Sequence, residues 1–287
     1  MDITKSKSKI RAMGFSLAII IVYLLNSILA GIVYGLLLVI GVIGNGMDID
    51  SFLESNSILF LSTVSILSII VFGIILYFKQ KNSIKYSDKP FVSLRGKVGK
   101  KEFMESITLF LGAFGITILW VILISFLSES SPFYKELLES HDSTLGNLVG
   151  TESLMFSIIT IAIIVPITEE LFFRGLIYGR LRQAMRPIVA ILISSIVFGI
   201  FHGNVVQGVY AFLIGCTLAL VYEKTDSLIL SIFGHGLINA IGMGLPSLEL
   251  DKLRLVLTII GCIAIIPSVI IIRKWFMESR DVGSIGI

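Results

Sequence analysis

Charge is scarce in this 287-residue chain. Only 15% of its residues are Asp, Glu, Lys or Arg, while 55% are hydrophobic, and its mean hydropathy is +0.95; in soluble domains about a quarter of residues are charged. The shortage excludes an ordinary soluble globule and leaves an integral membrane protein. Cysteine is nearly absent: Cys216 and Cys262, both inside apolar runs, allow no disulfide framework and no CxxC metal site. Histidine occurs three times. No internal repeat, low-complexity tract or second soluble domain is present.

What the chain has instead is long uncharged runs. A hydrocarbon core of about 30 Å takes about 20 apolar residues per helix, and backbone groups in lipid must be satisfied within the segment. Eight runs qualify or nearly do, at 14–44, 57–78, 104–127, 153–182, 188–203, 205–222, 227–244 and 255–272. The expected fold is all-α, a polytopic membrane protein of about eight transmembrane helices around a cytoplasm-facing polar cavity. The first run is at least twice as long as a signal-peptide core, so it reads as a tilted span. Three regions follow: residues 1–150 with about three spans and a basic loop, 151–245 with the core helices, and 246–287 with the last span and a tail.

The connections set the orientation. Lys5, Lys7, Lys9 and Arg11 precede the first span, and eight cations between Lys79 and Lys101 separate the second from the third. Both belong in the cytoplasm. The segments 45–56, with Asp48, Asp50 and Glu54, and 128–152, with Glu129, Glu136, Glu139 and Asp142, are acidic and fall outside. Both termini are then cytoplasmic, and the Ile- and Lys-rich usage suggests a bacterial plasma membrane. Topology and anionic headgroups account for the basic loop, and nucleic acid is not needed to explain it. Gly31 and Gly35 fit GxxxG, a sign of close helix packing.

Against this background the stretch "ITEELFFRGLIYGRL", 167–181, is out of place. Ionisable residues deep within the runs are confined to Glu169, Glu170 and Arg174 in the fourth, His202 in the fifth and His235 in the seventh. Intramembrane residues of this kind are functional by default. His141 lies in the acidic outer loop and reads as a solvated bystander. Glu170 and Arg174 stand at i and i+4 with the acid first, the favourable order for an ion pair. Glu169 points about 100° away and has no basic partner on its own helix, which makes it the candidate general base for a water. Pro166, one turn earlier, removes a backbone hydrogen bond and predicts a kink that opens the helix to water.

Two further pieces are "FGIFHGN", 198–204, which puts Phe198 and His202 on one face with Gly199 and Gly203 leaving room, and "FGHGLINAIG", 233–242. In the latter His235 and Asn239 project side by side. Two polar donors on one face, flanked by glycines, suit a developing oxyanion.

Glu169-Glu170-x-x-x-Arg174, Phe198-x-x-x-His202 and His235-x-x-x-Asn239, in that order on successive apolar segments, resemble the three signature motifs of the CAAX-protease and bacteriocin-processing family of intramembrane proteases. The resemblance covers about residues 150–245. It implies an eight-helix fold with a water-filled cavity and hydrolysis of a peptide bond. For the matching positions it implies Glu169 and His202 as the water-activating pair, His235 and Asn239 as oxyanion stabilisers, and Glu170 with Arg174 as support.

No HExxH, serine-hydrolase GxSxG or intramembrane aspartate pair is present. Glu169, His202 and His235 form an alternative zinc set with a water in fourth place, but Asn239 beside His235 makes better sense as a donor pair, and no cofactor is expected. A transporter would spread polar groups along a route and show repeat symmetry. A non-catalytic immunity or binding protein would keep the fold without turnover. The expected partners are membrane lipid and a peptide or protein substrate, either a prenylated CAAX-type tail or a bacterial peptide precursor or leader.

Overall fold

The computed structural model describes residues 3–45, 57–86, 91–96, 98–148, 154–244 and 250–281. Among them there are helices and no strands. In chain order they are α1 (Ile3–Asn45), α2 (Ser57–Tyr86), α3 (Lys100–Ser128), α4 (Pro132–Leu148), α5 (Leu154–Leu181), α6 (Pro187–Phe201), α7 (Val205–Thr225), α8 (Leu228–Asn239, continuing through a wide turn Ala240–Gly244) and α9 (Asp251–Asp281). Six of these, α1, α2, α3, α5, α7 and α9, are long and apolar enough to cross a membrane; α6 and α8 are shorter apolar helices. The protein is thus an all-α polytopic membrane protein whose eight apolar runs all became helices, with six of full spanning length. Its outward faces are apolar, as at Leu25, Ile28, Ile263 and Ile266, which lipid rather than water would solvate.

The acidic segment 128–152 is not the plain loop expected. Pro132–Leu148 forms the amphipathic helix α4, with Pro at its first position where the missing N–H costs nothing. The acidic segment at 46–56 lies outside the described residues. Part of the basic loop is also structured: Ser93 and Leu94 carbonyls accept from Leu228 and Ile229 N–H at 3.1 and 3.0 Å, satisfying two orphan donors at the start of α8. Gly96, at φ 57, sits against the Thr225 and Asp226 carbonyls where a side chain would collide.

Helices α3 and α9 touch backbone to backbone. A methyl group on Gly115 would lie 2.4 Å from the Gly261 carbonyl, and Ser268 Oγ donates to Thr108 O at 3.0 Å. The α1 pair behaves differently from its GxxxG pattern: Gly31 only reaches the Phe60 ring at 4.0 Å and Gly35 faces open space. Spacing alone cannot report which face of a helix meets a neighbour.

Pro166 follows directly on a widened stretch of helix. The turn Thr160–Ile164 is π-helical, and Val165 N–H bonds to Thr160 O. Ile161 O thereby loses its usual donor, and Pro166 has none to offer Ala162 O. Both carbonyls face α8: Asn239 Nδ2 donates to Ile161 O at 3.0 Å, and Gly236 packs so closely on Ala162 that a methyl group would lie 2.4 Å from its carbonyl oxygen. A second π-helical stretch, Leu171–Tyr178, follows directly after Glu170.

Candidate active site

Helix α5 enters the core at its charged segment. Glu170 and Arg174 are fully buried, and Arg174 Nη1 donates to Glu170 Oε1 at 2.8 Å, the i, i+4 pair expected from the spacing. The other guanidinium arm donates to Gly215 O on α7 at 3.0 Å. His235 of α8 brings Nδ1 to 3.0 Å from the same Glu170 oxygen. Its Nε2 faces Glu169 Oε2 at 3.6 Å, too long for a hydrogen bond. Glu169 keeps 27% of its side chain exposed while Glu170 keeps none. Adjacent in sequence, the two acids divide: one is fully buried, with two donors on its Oε1 and none on its Oε2, and the other opens outward.

Phe198 organises the remaining members. The Arg174 guanidinium lies 4.7 Å over its ring, and the rings of His202 and His235 meet it edge-on at 4.8 and 5.7 Å. His202 Nδ1 lies 2.8 Å from Phe198 O. A carbonyl only accepts, so Nδ1 carries hydrogen and the neutral ring leaves Nε2 as a lone pair. Asn239 spends one amide hydrogen on Ile161 O and has a second to give. Among the described residues no three His, Cys, Asp or Glu side chains converge as a metal-ligating group.

Glycines allow the helices to meet here. A methyl group on Gly234 would lie 2.2 Å from the Phe110 ring, and one on Gly199 would lie 2.6 Å from Gly208 O. Beside His202, Gly199, Ile200, Gly203, Asn204 and Phe212 line an apolar cavity of about 480 Å³ between α6 and α7.

Two neighbours escaped the sequence reading. Tyr23 of α1 packs on Phe172 at 5.0 Å and Phe201 at 5.5 Å, residues that flank Glu169 and His202, and its phenol is within electrostatic range of Glu169. Nothing in the pattern of α1 singles it out, since a tyrosine in an apolar run looks like packing. His141 is no solvated bystander. It is 4% exposed, its Nδ1 lies 3.1 Å from Asp142 Oδ1 and its ring stands edge-on to Tyr210 of α7. Next to it Ser140 Oγ accepts from Asn204 Nδ2 at 3.0 Å, so α4 is tied to the turn that follows His202. The amphipathic helix that buries it went unseen because the segment's acidic residues dominate its composition.

At the other end of α5, Tyr178 donates to Glu223 Oε2 at 2.6 Å, and Arg182 reaches Glu223 at 3.4 Å and Asp226 at 3.0 Å. Burial works against the Arg182 charge, but Tyr222, Glu223 and Asp226 outweigh it and raise the pKa.

Fold and site together define a polytopic membrane protein with a carboxylate and imidazole centre enclosed by its helices. Residues 151–241 match the family described as "Type II CAAX prenyl endopeptidase Rce1-like". The matched segment holds all three motifs, in agreement with the resemblance that they carry. The chain is 30% identical over 133 residues to the "Putative membrane peptidase YdiL" of Bacillus subtilis, covering 44% of this chain and 54% of the relative. It is 30% identical over 102 residues to the "UPF0177 protein YxdF" of Lactococcus lactis, covering 35% and 56%. The chain thus spans about half the length of these curated relatives. No solved structure matches it.

Proposed function

We propose that the protein is a membrane-embedded endopeptidase in which Glu169 activates water. The observation that carries this reading is the division of the two acids. Glu170 is fully buried, with Arg174 and His235 both on its Oε1, whereas Glu169 presents a partly exposed carboxylate 3.6 Å from His235 Nε2. A water held between Glu169 and the Nε2 lone pair of His202 gives its proton to Glu169 as its oxygen bonds to the scissile carbonyl carbon. His235 and Asn239 donate to the oxyanion that develops. The proton then passes from Glu169 to the amide nitrogen as the C–N bond breaks, leaving an amine and a carboxylic acid, which ionises by releasing its proton to solvent. For His235 to donate to the oxyanion its Nε2 must carry hydrogen, while its Nδ1 lies 3.0 Å from Glu170 Oε1.

The substrate is a membrane-associated peptide or protein, either a prenylated CAAX-type tail or a bacterial peptide precursor or leader. The membrane is a bacterial plasma membrane, with both termini cytoplasmic, as the basic segments before α1 and after α2 argue.

Proteoliposomes containing wild type or Glu169→Ala, incubated with a peptide library, test the reading. Cleavage by wild type alone is the expected result. Equal cleavage by both would overturn it, and absence of cleavage by wild type across precursor and prenylated peptides would favour an immunity or binding role.

A further inference from the structure

Cations gather without carboxylate partners where α1 meets the turn between α5 and α6. Ser8 and Lys9 of α1 and Gln183 and Arg186 of the turn line one part of a cavity of about 660 Å³, and Val189 and Ile193 of α6 line another. Among the described residues no Asp or Glu lines it. Arg180 donates from Nη1 to Gln183 Oε1 at 3.0 Å, and the Gln183 amide keeps its own hydrogens to donate. The contrast within the turn is sharp. Arg182 is paired with Glu223 and Asp226, whereas neither Lys9 nor Arg186 has an ion-pair partner among the described residues.

The two parts of the cavity differ in kind. Its cationic part is formed where α1 and α6 begin. Its apolar part follows α6 to Ile193, seven residues on from Arg186, or about 10 Å along a helix. A free phosphate would use only the cations and leave Val189 and Ile193 idle. A phosphate ester bearing an acyl chain uses both, and a membrane supplies such molecules where basic side chains attract anionic headgroups.

We propose that this cavity binds an anionic phospholipid, its phosphate between Lys9 and Arg186 and an acyl chain along Val189 and Ile193. Lys9 belongs to α1, outside the segment that matches the protease family, while Arg186 belongs to the turn joining the helix of Glu169 to the helix of His202. The bound lipid therefore clasps the first helix to the two helices that carry the site. The proposal does not depend on the protein being a protease.

The test uses the full chain in nanodiscs of phosphatidylcholine, with or without a minority of phosphatidylglycerol, and in detergent with inorganic phosphate. Lipid retained on the protein is read by native mass spectrometry, and thermal midpoints are read alongside. Wild type should retain phosphatidylglycerol and unfold at a higher temperature with it. Lys9→Gln with Arg186→Gln should weaken retention about 30-fold, as expected for two cations near a headgroup. Lys9→Gln alone, a change at an exposed position, should cost roughly fivefold, which keeps the test open if the double variant fails to fold. Replacing Lys7 and Arg11, which do not line the cavity, should change neither reading. Undiminished retention in the Lys9 and Arg186 variants would overturn the proposal. So would an equal loss on replacing Lys7 and Arg11, which would signify diffuse surface attraction, or equal stabilisation by inorganic phosphate, which would signify a free-anion site.

Discussion

His235 Nδ1 lies 3.0 Å from Glu170 Oε1, the same oxygen that accepts from Arg174 at 2.8 Å. One buried carboxylate oxygen thus ties α5 to α8 and, through Arg174 and Gly215, to α7. This contact fixes the direction of His235 Nε2, which is aimed at Glu169. The two adjacent acids therefore have separate physical tasks: Glu170 holds helices and imidazole in place, and Glu169 is left for chemistry.

Glu170→Ala and Arg174→Ala should each cost about 3–5 kcal/mol, because each leaves a buried charge without its partner. Denaturant or thermal unfolding in detergent checks this, and an unchanged midpoint in both variants would show that the pair does not support the fold. Activity should fall in both, since His235 loses its anchor.

Much of this arrangement is legible from residue spacing. Glu170 and Arg174 pair as i, i+4 geometry requires, and the apolar runs become helices. What spacing cannot supply is the relation between helices. That His235 inserts between the two glutamates, that Asn239 reaches Ile161 O, and that Tyr23 lies against Phe172 depend on how α1, α5 and α8 pack. The π-helical turns were illegible for a related reason: Pro166 announces a lost hydrogen bond, but not the widened turn before it or the Gly236 and Asn239 contacts with the carbonyls left over. His141 was misread because charge was weighed ahead of the apolar face that buries it.

Glu169→Gln should abolish hydrolysis and leave the fold intact. The change keeps shape and removes the base, and the side chain is 27% exposed and accepts no short hydrogen bond from His235. Turnover near the wild-type rate would rule out Glu169 as the group that activates water, while a lowered unfolding midpoint would mean that its charge also supports the cluster.

The glycines should divide by location. Gly236→Ala places a methyl group 2.4 Å from a backbone carbonyl and Gly234→Ala places one 2.2 Å from the Phe110 ring, so both should destabilise by about 1–3 kcal/mol, the usual cost of overpacking. Gly35→Ala meets open space and should be neutral or stabilising by up to about 1 kcal/mol from helix propensity. Unfolding midpoints of the three variants, measured in one detergent, make the comparison. A destabilised Gly35→Ala would show that α1 packs more closely along that face.

Metal dependence turns on His235 and Asn239. In the proposed mechanism both donate to an oxyanion, so activity should survive exhaustive chelation and the purified protein should hold no stoichiometric zinc. Asn239→Ala should lower turnover by about 10²–10³, the effect of losing one oxyanion donor. It also removes the bond to Ile161 O, and the unfolding midpoint should drop with it by about 1 kcal/mol of stability. If zinc were ligated by Glu169, His202 and His235, then His235→Ala would lose metal along with activity, and Asn239→Ala would keep its metal. His235→Ala also frees Glu170 from one donor, so its fold must be compared with that of Glu170→Ala before its activity is interpreted. Elemental analysis of wild type and both variants, beside activity with and without a strong chelator, separates the two chemistries. One zinc per chain that disappears with His235, together with chelator-sensitive activity restored by added metal, would replace the glutamate-activated water with a metal-bound one.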